Sequence, residues 1–560
     1  MVTKRLWLVG LPLLLAACKG TTPPPALSCA SGGANVNLAA PGLYAAFDPG
    51  ASSGCTVFPA NASASPAEYL LVPQSASGTP NDSQSFKLQG GSLMVASLAG
   101  QGRAPQIGPA PLSPAEQFHL FLRRSERARS YPVSPRGARA PTARLVPEPS
   151  GPLTPADSGT KRSFKVCGNL KCDTLPVVRA ILMKLGQHIA IYVDSAAPSP
   201  LLQPDLDSLR AVFDNRLHAV DNGAFGVESD IDGNGVVIVL MTNQINKLVT
   251  NSQCQATGFV AGYFYGADID PGSASQYNNA EIFYSVVPDP AGTLSCAHSV
   301  TQVKRLVPVT FVHEFQHMIS YNQHVLLRGG DAEILWLNEG LSHYAEERGG
   351  RSFLPGDTTA FCDYVVGDLY NSGQYFTAPQ NHFLVDTAGI GGLAERGAYW
   401  LFLRYLLDQF ATDTSLAAAD ALTRTLDQTP ATGVTNVQNV TGTPFATLVT
   451  RWSLANYVSD LPGFTTPPEL KNKTWAFRTA YPQLRSRCNN TNIPLAFPLV
   501  PAVGSGSAVS LSGFLHAGSG TYYRAQQSAG AAGFTLLFSD ASGGALRASL
   551  FPRLNVIRIQ

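Results

Sequence analysis

Two short stretches constrain this chain more than anything else in its 560 residues: Val312-His313-Glu314-Phe315-Gln316-His317-Met318 and, downstream, Trp336-Leu337-Asn338-Glu339-Gly340-Leu341-Ser342. If Phe311 to Tyr321 is helical, a spacing of four sets His313 and His317 one turn apart on one face, where both imidazoles can bind a single zinc ion. Glu314 then points beside the metal, placed to take a proton from an attacking water, the general-base role in metal-assisted peptide hydrolysis. A catalytic zinc needs a third protein ligand and an open position. Glu339 is the candidate, because the 22 positions separating it from His317 let the chain turn and run a second helix back past the first. With ten His in the chain, a chance HExxH arises in roughly one sequence of this length in two hundred. Four of those ten fall between His313 and His343, which favours a metal site over an amphipathic helix with incidental histidines.

The wording HEFQH followed by WLNEGLSHYAEE resembles the gluzincin metallopeptidases, and HEFQHM with WLNEGLS together resembles the hyicolysin family of secreted bacterial zinc peptidases. The likeness covers roughly residues 164–484. It implies Glu339 as third zinc ligand on a second helix, and an oxyanion donor, Tyr or His, beyond that ligand. Tyr399, sixty residues on, is the first choice for the donor, with His343 and Tyr344 as alternatives. His343, one turn after Glu339, is also a candidate partner to a ligand, and Asn338 a candidate to orient the ligands or touch substrate backbone. Glu346 and Glu347 read as a solvated face, and His324 as too far along the helix axis to share the ion. The resemblance also implies a substrate-pairing edge strand just before the metal helix, assigned to Glu281–Val287; the residues alone fit an interior strand equally well.

Length alone calls for two to four domains. Charged residues are 14% and the net charge is +1, so nothing suggests a nucleic-acid partner. Lys4 and Arg5 precede an apolar run, Leu6 to Leu15, too short to span a bilayer, and Leu15-Ala16-Ala17-Cys18 resembles a bacterial lipobox. Residues 1–17 then read as a lipoprotein signal peptide, Cys18 as the acylated residue, 18–34 as a tether, and the membrane as a partner through that anchor. Eight further cysteines, widely spaced, suggest up to four disulfides, simplest as the sequential pairs 29–55, 167–172, 254–296 and 362–488.

The expected fold is multidomain α+β. A small β-rich domain covers 35–100, followed at 101–160 by a short helix and a Pro/Arg-rich linker. A zincin-type catalytic domain covers 161–484, with a mixed sheet, the active-site helix and a mainly helical part. A second β-rich domain closes the chain at 485–560. Ser113-Pro114-Ala115-Glu116 has the form of a helix-starting capping box. The seven arginines from Arg123 to Ser158 read as a solvated linker or, alternatively, a propeptide junction. Leu206, Leu209, Phe213, Leu217 and Val220 recur as one helix face. Asp230-Ile231-Asp232-Gly233-Asn234-Gly235 matches the opening of a calcium loop through Asp230, Asp232 and Asn234. Met241 stands where a bidentate Glu is needed, which favours a plain turn.

The function these features predict is an extracytoplasmic zinc endopeptidase acting on proteins or peptides. A zinc aminopeptidase is the alternative enzyme, and a surface adhesin or scaffold keeping a metal site the alternative outside catalysis.

Overall fold

The computed structural model describes residues 27–30, 32–90, 112–130, 151–199, 201–387 and 392–560. The leader, Cys18 and most of the Pro/Arg-rich segment lie outside these residues. The fold is mixed α+β, with three sheets and a large helical region.

The central sheet has six strands in the order Gly262–Phe264, Ile282–Ser285, Val237–Met241, Ile189–Asp194, Val177–Leu185, Lys161–Lys165. The Ile282, Val237 and Ile189 strands run parallel and the outer pairings are antiparallel. Parallel strands covered on both faces read as unbroken apolar runs, and Val237–Met241 is buried at every position. The helical stretch between two of them, Gln203–Val212 continuing through Phe213–Leu217 to His218–Phe225, buries Leu206, Leu209, Phe213 and Leu217 as their spacing predicts. Val220 is only partly buried. The edge assignment is corrected: Ile282–Ser285 is flanked on both sides and buried throughout, and the edge strand is Gly262–Phe264.

Against this sheet lies the helix Val300–Tyr321, started by a reciprocal cap between Ser299 and Gln302. The helices Leu335–Arg351, Thr358–Thr377 and Leu393–Phe410 follow. Their close packing needs glycine at two points. A Cβ on Gly340 would sit 3.1 Å from the Tyr399 carbonyl oxygen, and one on Gly397 would sit 2.3 Å from that of Asn371. The disulfides join Cys29 to Cys55, Cys167 to Cys172, Cys254 to Cys296 and Cys362 to Cys488, the sequential pairing expected.

Two expectations fail on packing. The terminal β-rich segments are not separate: Phe534–Asp540 lies between Cys55–Phe58 and Ser83–Gly90, and Ala67–Ser75 lies between Tyr523–Gln527 and Pro552–Arg558. The two five-stranded sheets share one core, including Phe58, Leu71, Phe86, Phe538 and Val556. Neither terminal segment holds enough apolar surface for a core alone, so each finishes the other. The helix expected at Ser113 runs from Pro114 to Ser130, with Ser113 and Glu116 capping each other, so the solvated reading fails for Arg123, 4% exposed, and in part for Arg127 and Arg129, while Arg124 does face solvent.

Candidate metal centre

Helix geometry sets His313 and His317 on one face, and the helix Leu335–Arg351 brings Glu339 opposite them. His313 Nε2 and His317 Nε2 are 3.2 Å apart, and each lies 3.6 Å from an oxygen of Glu339. Tetrahedral bonds of about 2.05 Å would separate ligand atoms by about 3.3 Å, so the triangle fits one ion. Two orphaned features point the same way. His313 Nδ1 faces Glu346 Oε1 at 2.7 Å and His317 Nδ1 faces Asn338 Oδ1 at 2.8 Å. Each acceptor fixes the proton on Nδ1, which leaves both Nε2 lone pairs converging with no donor between them. Both oxygens of Glu339 are buried without a hydrogen-bond partner. Burial alone would raise Glu339, yet Arg396 and the two imidazoles hold it well below the usual carboxylate range. A divalent cation satisfies all of these groups together.

Glu346 and Glu347 do not form a solvated face; both are buried. Glu346 Oε1 also lies 3.1 Å from His343 Nδ1, and His343 Nδ1 lies 3.0 Å from Asp368 Oδ1. His313, His343 and Glu346 could therefore form a second metal group. Burial opposes charge on His343, but Glu346 and Asp368 carry it up to about 10. A proton fills that position, and the trio braces His313 from behind. Glu347 accepts from the indoles of Trp400 and Trp475, tying two helices to the loop that precedes Phe477–Arg487. His324 is a core residue between Glu333 and Asp427.

The chain resembles a metalloprotease. It is similar to the neutral metalloprotease ShpI of Staphylococcus hyicus, 30% identical over 186 residues, which is 33% of this chain and 39% of the relative. The match therefore spans about two fifths of that relative's length. No family profile matches the chain.

Glu314 is wholly buried beside the donor triangle. Its Oε2 accepts the Phe264 N–H from the edge strand at 3.0 Å, and Oε1 has no hydrogen-bond partner. Two residues missed at the sequence level face it: His119 Nδ1 is 3.5 Å from Oε1 and Arg123 is 3.8 Å from Oε2. Their signal was the capping box, which starts a helix on which positions 119 and 123 share a face.

Tyr399 is buried and its hydroxyl donates to Asp386, so it can serve as an oxyanion donor only by giving up that bond. Burial raises its pKa, and the charge of Glu339 is among those that add to this. One turn earlier on the same helix, Arg396 lies 3.9 Å from Glu339 and is the cation nearest that ligand. Tyr344 packs edge-on to Phe225 with Arg404 over its ring.

In the acidic turn, Met241 is buried in its strand and contributes no oxygen. Glu281 enters instead, and oxygens of Asp230, Asp232 and Glu281 all lie within 4.8 Å of one another. Asn234 Oδ1 accepts the Val236 N–H at 2.7 Å, a bond within the turn. Cys254 and Cys296 near His298 are joined in a disulfide and offer no thiolate. Among the described residues no helix is long and apolar enough to cross a membrane.

Proposed function

We propose that this chain is an extracytoplasmic zinc-dependent endopeptidase of gluzincin type, similar to the hyicolysin family, with zinc on His313, His317 and Glu339. The observation that carries the reading is the pair of converging Nε2 atoms facing a carboxylate with no partner, while Glu314 stands beside them and outside the set. A structural site has little use for that second carboxylate, which weighs against a scaffold.

Bound zinc would supply Lewis-acid polarisation of the scissile carbonyl and acidify a water. The protein supplies the rest. Glu314 accepts the proton at Oε1, because Oε2 is held by the Phe264 amide, and then returns it to the leaving amine. Asn338 and Glu346 fix the imidazole tautomers. Arg396 provides positive potential for the developing oxyanion. The Gly262–Phe264 edge offers backbone groups to an extended substrate, which gives affinity without strong sequence selection.

Four disulfides suit an oxidising compartment. Attachment by a lipid on Cys18 is part of the proposal, with protein or peptide substrates and no nucleic-acid partner. The test is Glu314→Gln: casein cleavage should fall by about 10² to 10⁴ with bound zinc unchanged. A variant that keeps its zinc and still cleaves casein at the native rate would end this reading. Peptides with blocked and free amino termini separate endopeptidase from aminopeptidase action.

A further inference from the structure

The geometry points to the helix Pro114–Ser130 as an internal occupant of the substrate cleft, holding the enzyme latent through Arg123 and His119. The inference rests on the peptidase reading and adds a state to it. An endopeptidase must admit an extended chain to its metal, yet His313, His317, Glu314 and Glu339 are each 6% exposed or less. The covering element is this helix. Phe118 sets its ring edge-on to Tyr263 of the edge strand, centroids 5.0 Å apart, and Phe118 and Leu122 are fully buried.

Its polar side chains take the places a substrate backbone would use. Arg123 donates to the Phe264 carbonyl oxygen at 3.2 Å, and Glu126 Oε1 accepts the Gly266 N–H at 3.3 Å. Phe264 is the last residue of the edge strand that pairs with Ile282–Ser285, and Gly266 lies two positions beyond it, so the helix holds the backbone at the strand's end. The same guanidinium lies against Glu314 Oε2, and His119 lies against Oε1, the oxygen the reaction needs. A base flanked by an arginine and an imidazole has no room beside it for water and carbonyl together. The helix thus blocks strand addition and general-base action with one face.

The test uses the zinc-loaded full chain and three proteins: native, Arg123→Met and His119→Ala. Binding of a small peptide hydroxamate, followed by calorimetry, reads access to the metal independently of turnover; casein cleavage reads activity. The expected result is at least tenfold tighter hydroxamate binding and at least tenfold faster cleavage for Arg123→Met. His119→Ala, the more exposed and milder change, should give a smaller gain of the same sign. Unchanged or weaker probe binding in both variants overturns latency. Lower turnover with unchanged zinc and unchanged probe affinity also overturns it, and would make the helix part of the catalytic machinery. Tighter probe binding with no cleavage in any form would keep the occupant and remove the peptidase reading.

A second observation carries an independent site. The structure assigns a hard divalent cation, calcium by its oxygen ligands, to Asp230, Asp232 and Glu281. Glu281 is 1% exposed; its Oε1 accepts from the Ser229 hydroxyl and the Ile231 N–H, while Oε2 is buried with no partner. Oxygens spread over 4.8 Å or less suit calcium bonds of about 2.4 Å. The carboxylate that the linear loop lacks arrives from the neighbouring strand. Arg162, 3.6 Å from Asp232, is the competing cation. Calcium titrated into the zinc-loaded protein should bind once per chain and raise its Tm; Glu281→Gln and Asp230→Asn should each weaken binding at least tenfold. Absence of calcium binding at about 10 mM, or equal binding by both variants, would leave Arg162 to balance the group's charge and overturn the site.

Discussion

Replacing Asp386 with asparagine should stabilise the protein more at pH 8 than at pH 5. Asp386 is fully buried, receives the Tyr399 hydroxyl, and leaves Oδ2 without a partner. Burial, reinforced by the charges of Glu395 and Glu339, pushes its carboxyl up to about 8 against the pull of the Tyr399 hydrogen bond. An unfolded aspartate titrates near about 4, so the folded state is the one that keeps the proton. Its contribution is complete below the unfolded value and is lost as pH rises toward the folded one. Integrating between those limits, ionisation of the unfolded chain costs about 2 kcal/mol at pH 5 and about 5 kcal/mol at pH 8. Asparagine carries no such dependence and still accepts the Tyr399 hydroxyl. The variant's advantage should grow by about 3 kcal/mol across that range. Urea unfolding of both proteins, with metal removed by chelation, measures it. An advantage equal at the two pH values to within about 0.5 kcal/mol would refute the assignment of a buried, proton-holding carboxyl.

Three further outcomes are expected. Glu346→Gln keeps a hydrogen-bond acceptor but removes the charge behind His313, and should weaken zinc about 10- to 100-fold in a chelator competition; a change under twofold would mean the contact does not tune the ligand. Tyr399→Phe should leave turnover within a factor of a few with zinc retained, because that hydroxyl is spent on Asp386; a loss of a hundredfold would restore it to catalysis. Gly397→Ala forces a Cβ onto the Asn371 carbonyl and should cost about 1–3 kcal/mol in denaturant unfolding, whereas an unchanged midpoint would show that the helices can part.

The convergence of His313, His317 and Glu339 was legible because its signal is local: two histidines at i and i+4, and a second motif whose glycine permits the close helix crossing at Tyr399. Disulfide pairing and the face Leu206 to Leu217 were legible on similar grounds of spacing and period. What escaped the sequence depends on contacts across the chain. Glu346 looked solvent-facing because charge alone says nothing of His313 and His343 on either side. Tyr399 was sought as a free donor, but its hydroxyl is engaged by Asp386, a contact that spacing does not foretell. The two β-rich segments each showed strand periodicity, and pairing partners more than four hundred residues away cannot be read from period alone. His119 and Arg123 were hidden because an arginine-rich stretch usually stays in water.

The interleaved sandwich pairs strands from before residue 91 with strands from after residue 501, so the central sheet and the helices lie between them along the chain. Neither five-stranded sheet can complete before residues 502–558 are made, so its pairings are long-range and slow to form. A cut after Ser130 would not set the covering helix loose. That helix would stay on a piece whose strands, Cys55–Phe58, Ala67–Ser75 and Ser83–Gly90, still pair with strands from the other side of the cut. Nicking and release are therefore separate events in this architecture, and only the second frees the cleft.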